Sequence, residues 1–378
     1  MLMSRRDIYI PLIIFALFAG LYLIPALMAD DDFFFRPVWD VGHYQSIAEG
    51  GYEVRPCDPA RDYPMGKICG NAGWFPGWPM TVKVLSIGQV GWGLKILPYI
   101  FTLLGFILFY RLLLNFAGRT EAVIALIALS ASPTAFYLLT GFPYAFMLFL
   151  FAAYLYYLYR PEAAGRKYLL PLAAGLLSLT YPSAFLTAII PFIMLIGQYR
   201  RRAVRPGLKM IAGDMFYYLA PFALGPLLLS FYFYVAYDDF LLILHFQEKY
   251  DRNWGFPLAV IWESLKHFQL STEAHFMNIE HSYFAANFII LWYGLIFFIF
   301  APWRTKPELV VYVLLLYLFS PATGSVFSIW RHYLLLFPAV IMIALSPRPR
   351  WLKLAYAAIG LFLALYIYFP EFMRGYLV

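Results

Sequence analysis

Asp40, His43 and Tyr44 stand close together in the run Trp39-Asp40-Val41-Gly42-His43-Tyr44. Pro37 precedes this run and Gly50-Gly51 ends it, so the spacing predicts a short helix over Asp40–Glu49. On such a helix Asp40, His43, Tyr44 and Ile47 share one face, because residues three, four and seven apart lie over one another. A carboxylate beside an imidazole and a phenol is a set suited to proton transfer. One carboxylate within hydrogen-bond reach of a hydroxyl suffices as a base. Asp40 also stands where a helix N-cap belongs, a common role for Asp. His43 has no such alternative, since a capping box takes Glu or Gln at that place. Far downstream, Trp330-Arg331-His332-Tyr333 places a cation at the head of an apolar stretch. Its planar guanidinium suits a phosphate, or it reaches back to the interface as a snorkelling side chain.

Other residues cluster in the same two regions. Asn71-Ala-Gly-Trp-Phe-Pro-Gly-Trp-Pro79 reads as a stiff aromatic turn that helices enter and leave but do not cross. Gln247, Tyr250 and Trp254 follow one another in a second polar, aromatic segment, and Leu258–Phe268 after it is amphipathic. Asp30, Asp31 and Asp32 form a rival acid cluster at the end of the first apolar run. Cys57 and Cys69 are the only cysteines, and both fall in one segment.

The elements that must position these groups are membrane helices. Apolar residues make up 63% of the chain and charged ones 13%, about half the charge of a soluble domain. Eleven apolar segments are expected, near 8–29, 92–113, 120–140, 143–159, 167–181, 183–199, 211–236, 284–301, 308–325, 332–345 and 351–369. Arg5 and Arg6 precede the first and set the N-terminus in the cytoplasm. Alternating sides then puts 17 Lys and Arg with 5 Asp and Glu inside, against 11 and 16 outside. That asymmetry is the positive-inside pattern, so the net charge of +7 reports topology and no nucleic-acid partner. The expectation is one all-α polytopic membrane domain over residues 1–378, with two long extracytoplasmic loops near 30–90 and 237–283 that contain interfacial helices. Long loops in a compact protein are usually functional. Cys57 and Cys69 then share an oxidising compartment, which favours a disulfide between them.

Five segments resemble one family in the order in which they occur. Trp39-Asp-Val-Gly-His-Tyr-Gln-Ser-Ile-Ala-Glu-Gly-Gly-Tyr52 is similar to the signature of the PIG-V family, the second mannosyltransferases of glycosylphosphatidylinositol assembly, and their prokaryotic relatives. Phe75-Pro-Gly-Trp-Pro79, Phe142-Pro-Tyr-Ala-Phe-Met-Leu-Phe, Gln247-x-x-Tyr250…Trp254-Gly-Phe and Arg331-His-Tyr-Leu-Leu-Leu-Phe-Pro338 resemble its later elements. The chain departs from the pattern at Ala145, where the family usually has Glu, and in its two-cysteine insert. The resemblance implies a GT-C bundle that moves a sugar, mannose in this family, from a polyprenyl-phosphate donor to a hydroxyl of a glycolipid acceptor with inversion. It implies Asp40 as base, His43 and Tyr44 orienting acceptor or phosphate, Arg331 on the phosphate, and Trp39 and Trp254 stacking on sugars, with Gln247 and Tyr250 in the substrate site. No cofactor and no metal are expected, because the lipid-linked sugar is itself a substrate. The short loops favour a prokaryotic plasma membrane over the endoplasmic reticulum.

The competing class is a transporter or lipid flippase. Such proteins keep ionisable residues at the bilayer midplane, whereas here the charged and aromatic residues gather in the outer loops.

Overall fold

The computed structural model describes residues 5–29, 32–37, 39–60, 62, 68–201, 207–250, 255–266, 279–323 and 328–375, and most of them are helical. Helix α1 covers Arg5–Met28 and, after a 3-10 turn at Asp32–Phe35, the short α2 covers Asp40–Gly50. A hairpin of β1 (Val54–Pro56) and β2 (Ile68–Gly70) leads to α3 (Gly77–Leu85) and α4 (Val90–Leu113). The next three helices are shorter: α5 (Arg119–Ser130), α6 (Tyr144–Leu158) and α7 (Arg166–Thr180). They are followed by α8 (Ile189–Arg201) and the long α9 (Leu208–Tyr237). The second loop contains α10 (Leu242–Gln247) and α11 (Pro257–Lys266), and α12 (Ile279–Ile296) and α13 (Pro307–Ala322) come after it. The chain closes with α14 (Ile329–His332), α15 (Phe337–Leu345), α16 (Arg350–Leu363) and α17 (Phe369–Met373).

Among the described residues, five helical segments are long and apolar enough to cross a membrane: Asp7–Met28, Val90–Leu113, Pro182–Arg201, Leu208–Tyr237 and Arg350–Met373. Helix is present at each of the eleven expected positions, but prolines shorten several of them. The segment 120–140 is α-helical only to Ser130 and resumes as a 3-10 turn at Ala135–Leu139. Pro133 lies between, and it lacks the N–H that a continuing helix needs. Likewise 332–345 breaks before Pro338, which then sits in the first turn of α15, where a missing N–H costs nothing. The long helices present large apolar side chains outward, such as Leu17 on α1 and Phe231 and Val235 on α9. In lipid that surface is already solvated.

Inside, one apolar core runs from Phe18 to Phe372. α15 lies wholly within it, with Phe337 to Ala344 all buried. Helices α7 and α9 approach so closely that a Cβ on Gly225 would collide with Ser178, whose hydroxyl accepts the Gly225 N–H at 3.2 Å. Small residues and a shared hydrogen bond are the usual means of helix contact in lipid. A second, smaller cluster joins Ala72 and Phe75 of the first loop to Leu242 and Phe246 of the second, over Leu229 and Phe233 of α9. The two long loops are thereby one packed unit.

The hairpin in the first loop pairs Arg55 with Cys69 in antiparallel register. Cys57, just past β1, is bonded to Cys69. Arg55 closes the turn through two hydrogen bonds to Asp62, at 2.7 and 2.9 Å. Asn71 fastens this unit to α2. Its amide donates to Ser46 Oγ and Gly51 O, and its carbonyl oxygen accepts the Glu53 N–H. Gly70 must be glycine, since its φ is +118° and a Cβ there would strike the Glu53 carbonyl. Replacing Cys57 and Cys69 together with serine is expected to cost about 3 kcal/mol, as for other loops of this length. Thermal unfolding of the detergent-solubilised protein checks this. An unchanged midpoint would show that Asn71 and the strand pairing hold the hairpin alone.

One local expectation is corrected. The segment 71–79 is a turn only as far as Pro76, and α3 starts at Gly77 with Trp78 and Pro79 in its first turn. A proline there removes no helical hydrogen bond.

Candidate functional site

α2 begins at Asp40, and Trp39 before it has φ +54° and makes no side-chain cap. A non-glycine residue in that region is strained by about 1–3 kcal/mol. Asp40 is therefore the first helical residue and not the cap. Its Oδ2 lies 2.8 Å from Nη1 of Arg331. Arg331 comes from α14, a single turn entered through Ser328 at φ +58°. The residue is only 7% exposed, so it does not snorkel. The Asp40 side chain, at 24%, covers it from the open side. Taking a guanidinium out of water costs several kcal/mol, which the facing carboxylate offsets in part. The ring of Phe142 lies 5.6 Å from the guanidinium carbon and contributes a cation–π contact. Nε and Nη1 of Arg331 are both buried with no hydrogen-bond partner among the described residues, so Asp40 meets Nη1 as a close ion pair and not in hydrogen-bond line.

Four buried tyrosines surround this pair: Tyr44, Tyr137, Tyr144 and Tyr181. All four lie within electrostatic reach of Arg331. Tyr44 comes from α2, Tyr137 from the 3-10 turn after α5, Tyr144 from the first turn of α6, and Tyr181 from the end of α7. The site thus lies where helix ends converge. The Tyr181 hydroxyl is 2.7 Å from Nδ1 of His332 and 3.4 Å from the Tyr144 hydroxyl. Trp330 donates its indole N–H to the Tyr137 oxygen at 3.3 Å. Burial, and then the negative charge of Asp40, push the Tyr44 phenol far above its usual range, so it stays protonated and able to donate. A cavity of about 40 Å³ borders the cluster, lined in part by Tyr181, Ser183, Thr323 and His332. A carboxylate, a buried cation and several phenols at one helix junction are equipped to take a proton and to hold an oxyanion.

No protein-family model matches this chain, and no curated protein sequence matches it.

The remaining expected residues fall around this centre. His43 stacks on Trp74 with ring centroids 3.7 Å apart. Burial lowers its pKa against the opposing pull of Asp40, so the ring is neutral at pH 7 and shapes the wall without adding charge. Trp39 is 62% exposed at the mouth. Gln247 lies against Gly73, where a Cβ would come within 3.1 Å of its Nε2. Tyr250 packs on Phe246, itself in edge contact with Trp74. Gln247 and Tyr250 thus adjoin the Trp74 wall of the site. Trp254, Asp30 and Asp31 lie outside the described residues, and Asp32 opens the 3-10 turn that precedes α2. Cys57, Cys69 and Asp62 are the one metal-sized group of ligand atoms among the described residues. Both sulfurs there are consumed by the disulfide.

Sequence reasoning missed Trp74, Tyr137, Tyr181 and His332 as members of the site. Tyr144 and His332 stood inside segments already singled out, but Tyr181 offers no signal, since a tyrosine ending an apolar run is ordinarily core.

Proposed function

We propose that the chain is an inverting glycosyltransferase that uses a polyprenyl-phosphate sugar, by resemblance mannose, and glycosylates a hydroxyl of a glycolipid on the extracytoplasmic face. The observation that carries this reading is the Asp40–Arg331 pair, a carboxylate and a buried cation 2.8 Å apart at the base of the two aromatic loops. In the reaction the acceptor oxygen forms a bond to the anomeric carbon as the bond from that carbon to the phosphate oxygen breaks. Asp40 takes the hydroxyl proton, and the departing polyprenyl phosphate keeps the electron pair and its charge beside Arg331. The donor is consumed as a substrate, and the reading requires no metal.

Contacts across the bundle support eleven crossings with a cytoplasmic N-terminus. Residues assigned to the cytoplasm meet one another: Asp7 with Arg119, Glu121 with Arg350, and Tyr159 with Glu308. Those assigned outside do likewise: Tyr237 with Tyr52, Trp78 with Gly141, and Phe34 with Phe372. A miscount by one crossing would set such partners on opposite sides. By its short connections the chain suits a prokaryotic plasma membrane. Among the described residues, the buried Glu308, Lys353 and Glu371 lie in the first turns of α13, α16 and α17 and Arg331 in the one-turn α14, none of them midway along a long helix. That placement disfavours a transport pathway.

Purified protein incubated with polyprenyl-phosphate mannose and membrane glycolipids is expected to release polyprenyl phosphate and add one hexose to a glycolipid, read by mass spectrometry. Donor that crosses a vesicle membrane uncleaved would instead make the protein a transporter.

A further inference from the structure

Arg331 and Asp40 each have a place in the proposed reaction, yet in the structure they occupy one another. A carboxylate oxygen directed at Arg331 Nη1 is not directed at an acceptor hydroxyl, and a guanidinium facing Asp40 is not facing a phosphate. The arrangement around them is rich in donors. Arg331 offers five N–H groups, its Nε and Nη1 are buried without a hydrogen-bond partner although Asp40 stands against Nη1, and the hydroxyls of Tyr44 and Tyr144 lie within its electrostatic reach. Among the described residues, Asp40 is the one acid paired with Arg331. A phosphate carries more acceptor oxygens than a carboxylate, and it fits the guanidinium fork at two points at once. Asp40 is also the outer member of the pair. It heads a helix behind the strained Trp39, so a ligand arriving from the loops meets Asp40 first and the cation behind it.

We propose that the phosphate of an isoprenoid-phosphate ligand displaces Asp40 from Arg331 and takes the guanidinium together with the Tyr144 hydroxyl, and that this exchange sets Asp40 free to act as base. The ion pair is then a latch opened by the donor. The base is presented to an acceptor only once a donor phosphate is in place, which orders the two substrates and guards against proton abstraction in an empty site. The inference rests on the glycosyltransferase reading for its ligand class and for what the freed Asp40 does, while its first step, the exchange at Arg331, is read by binding alone.

The test is the dissociation constant of farnesyl phosphate, a sugar-free probe, measured calorimetrically on the detergent-solubilised full chain, with inorganic phosphate in parallel. A latch closed about nine-tenths of the time weakens apparent binding about tenfold. Asp40→Asn and Asp40→Ser both remove the competing charge, and either is expected to bind the probe about tenfold more tightly than wild type. Both are made so that a folding failure in one leaves the other. Asp40→Glu keeps a carboxylate and is expected to stay within about threefold of wild type, and Tyr144→Phe is expected to bind about tenfold more weakly, as befits a lost hydrogen bond to a charged group. Inorganic phosphate is expected to follow the same ranking at lower affinity, the lipid tail adding apolar burial. Equal or weaker binding by the neutral Asp40 variants, where wild type binds, overturns the latch and leaves the enzyme reading standing. No binding of farnesyl phosphate by wild type overturns both.

Discussion

Asp40→Asn is expected to lower turnover by about 100- to 10,000-fold, the usual cost of removing a general base. Asparagine keeps the size of the side chain, but it carries no charge and cannot take a proton. The structure adds a second effect. Arg331 is 7% exposed, and the substitution leaves it without a counter-ion. Breaking a buried pair from one side costs about 3–5 kcal/mol. The cost here lies toward the lower end, since the Asp40 side chain is about a quarter exposed. The variant is therefore expected to unfold at a lower temperature, to hold a donor phosphate more tightly, and to turn over very slowly at saturating donor. Transfer of labelled sugar per folded molecule, with unfolding measured in parallel, separates these effects. Turnover within tenfold of wild type would reduce Asp40 to a structural partner of Arg331 and send the search for the base to Asp30, Asp31 and Asp32.

Arg331→Ala is expected to lower kcat/KM for the donor by about 100- to 1,000-fold, the range for losing one charge-stabilising group at a transition state. It removes the cation beside the leaving phosphate and the partner that restrains Asp40. Arg331→Lys separates charge from shape. Lysine keeps the positive charge but has no planar fork, so it holds one phosphate oxygen where Arg holds two. Roughly tenfold loss is expected for Lys, with the donor KM raised more than kcat is lowered. Steady-state kinetics over a range of donor concentrations distinguish the cases. An Ala variant that folds and turns over donor normally would leave Arg331 a purely structural cation.

The parts of this architecture that were legible in the sequence are those fixed by local chemistry. Apolar runs and the lysine and arginine asymmetry marked a membrane bundle, Pro37 and Gly50-Gly51 bracketed α2, and two cysteines in one outer loop pointed to their bond. The parts that were not legible depend on contacts between distant segments. Nothing in the neighbourhood of Asp40 announces Arg331, so a cap for one and a snorkelling cation for the other stand as local alternatives beside the base and the phosphate ligand that the resemblance implies, and their pairing is not visible. The strands beside Cys57 and Cys69 are three residues each, too short to show alternation. Pro133 and Pro338 shortened segments whose hydropathy alone reads as continuous. Tyr137 and Tyr181 are chemically silent in sequence, because a phenol in an apolar run joins a site only when another chain segment brings a cation to it.

The enclosure of α15 and α16 against α5 also sets a timetable. Glu121 on α5 is held by Arg350 and Lys353, which follow it by 229 and 232 residues. At about 5–20 residues per second, the ribosome makes α5 some ten to fifty seconds before its partners exist. During that interval Glu121, in the first turn of α5, lacks the two cations that later hold it. Until then the earlier α1 and α4, which also pack on α5, are its neighbours. Assembly of the bundle therefore finishes at its C-terminal end, however early the segment that carries Asp40 has been made.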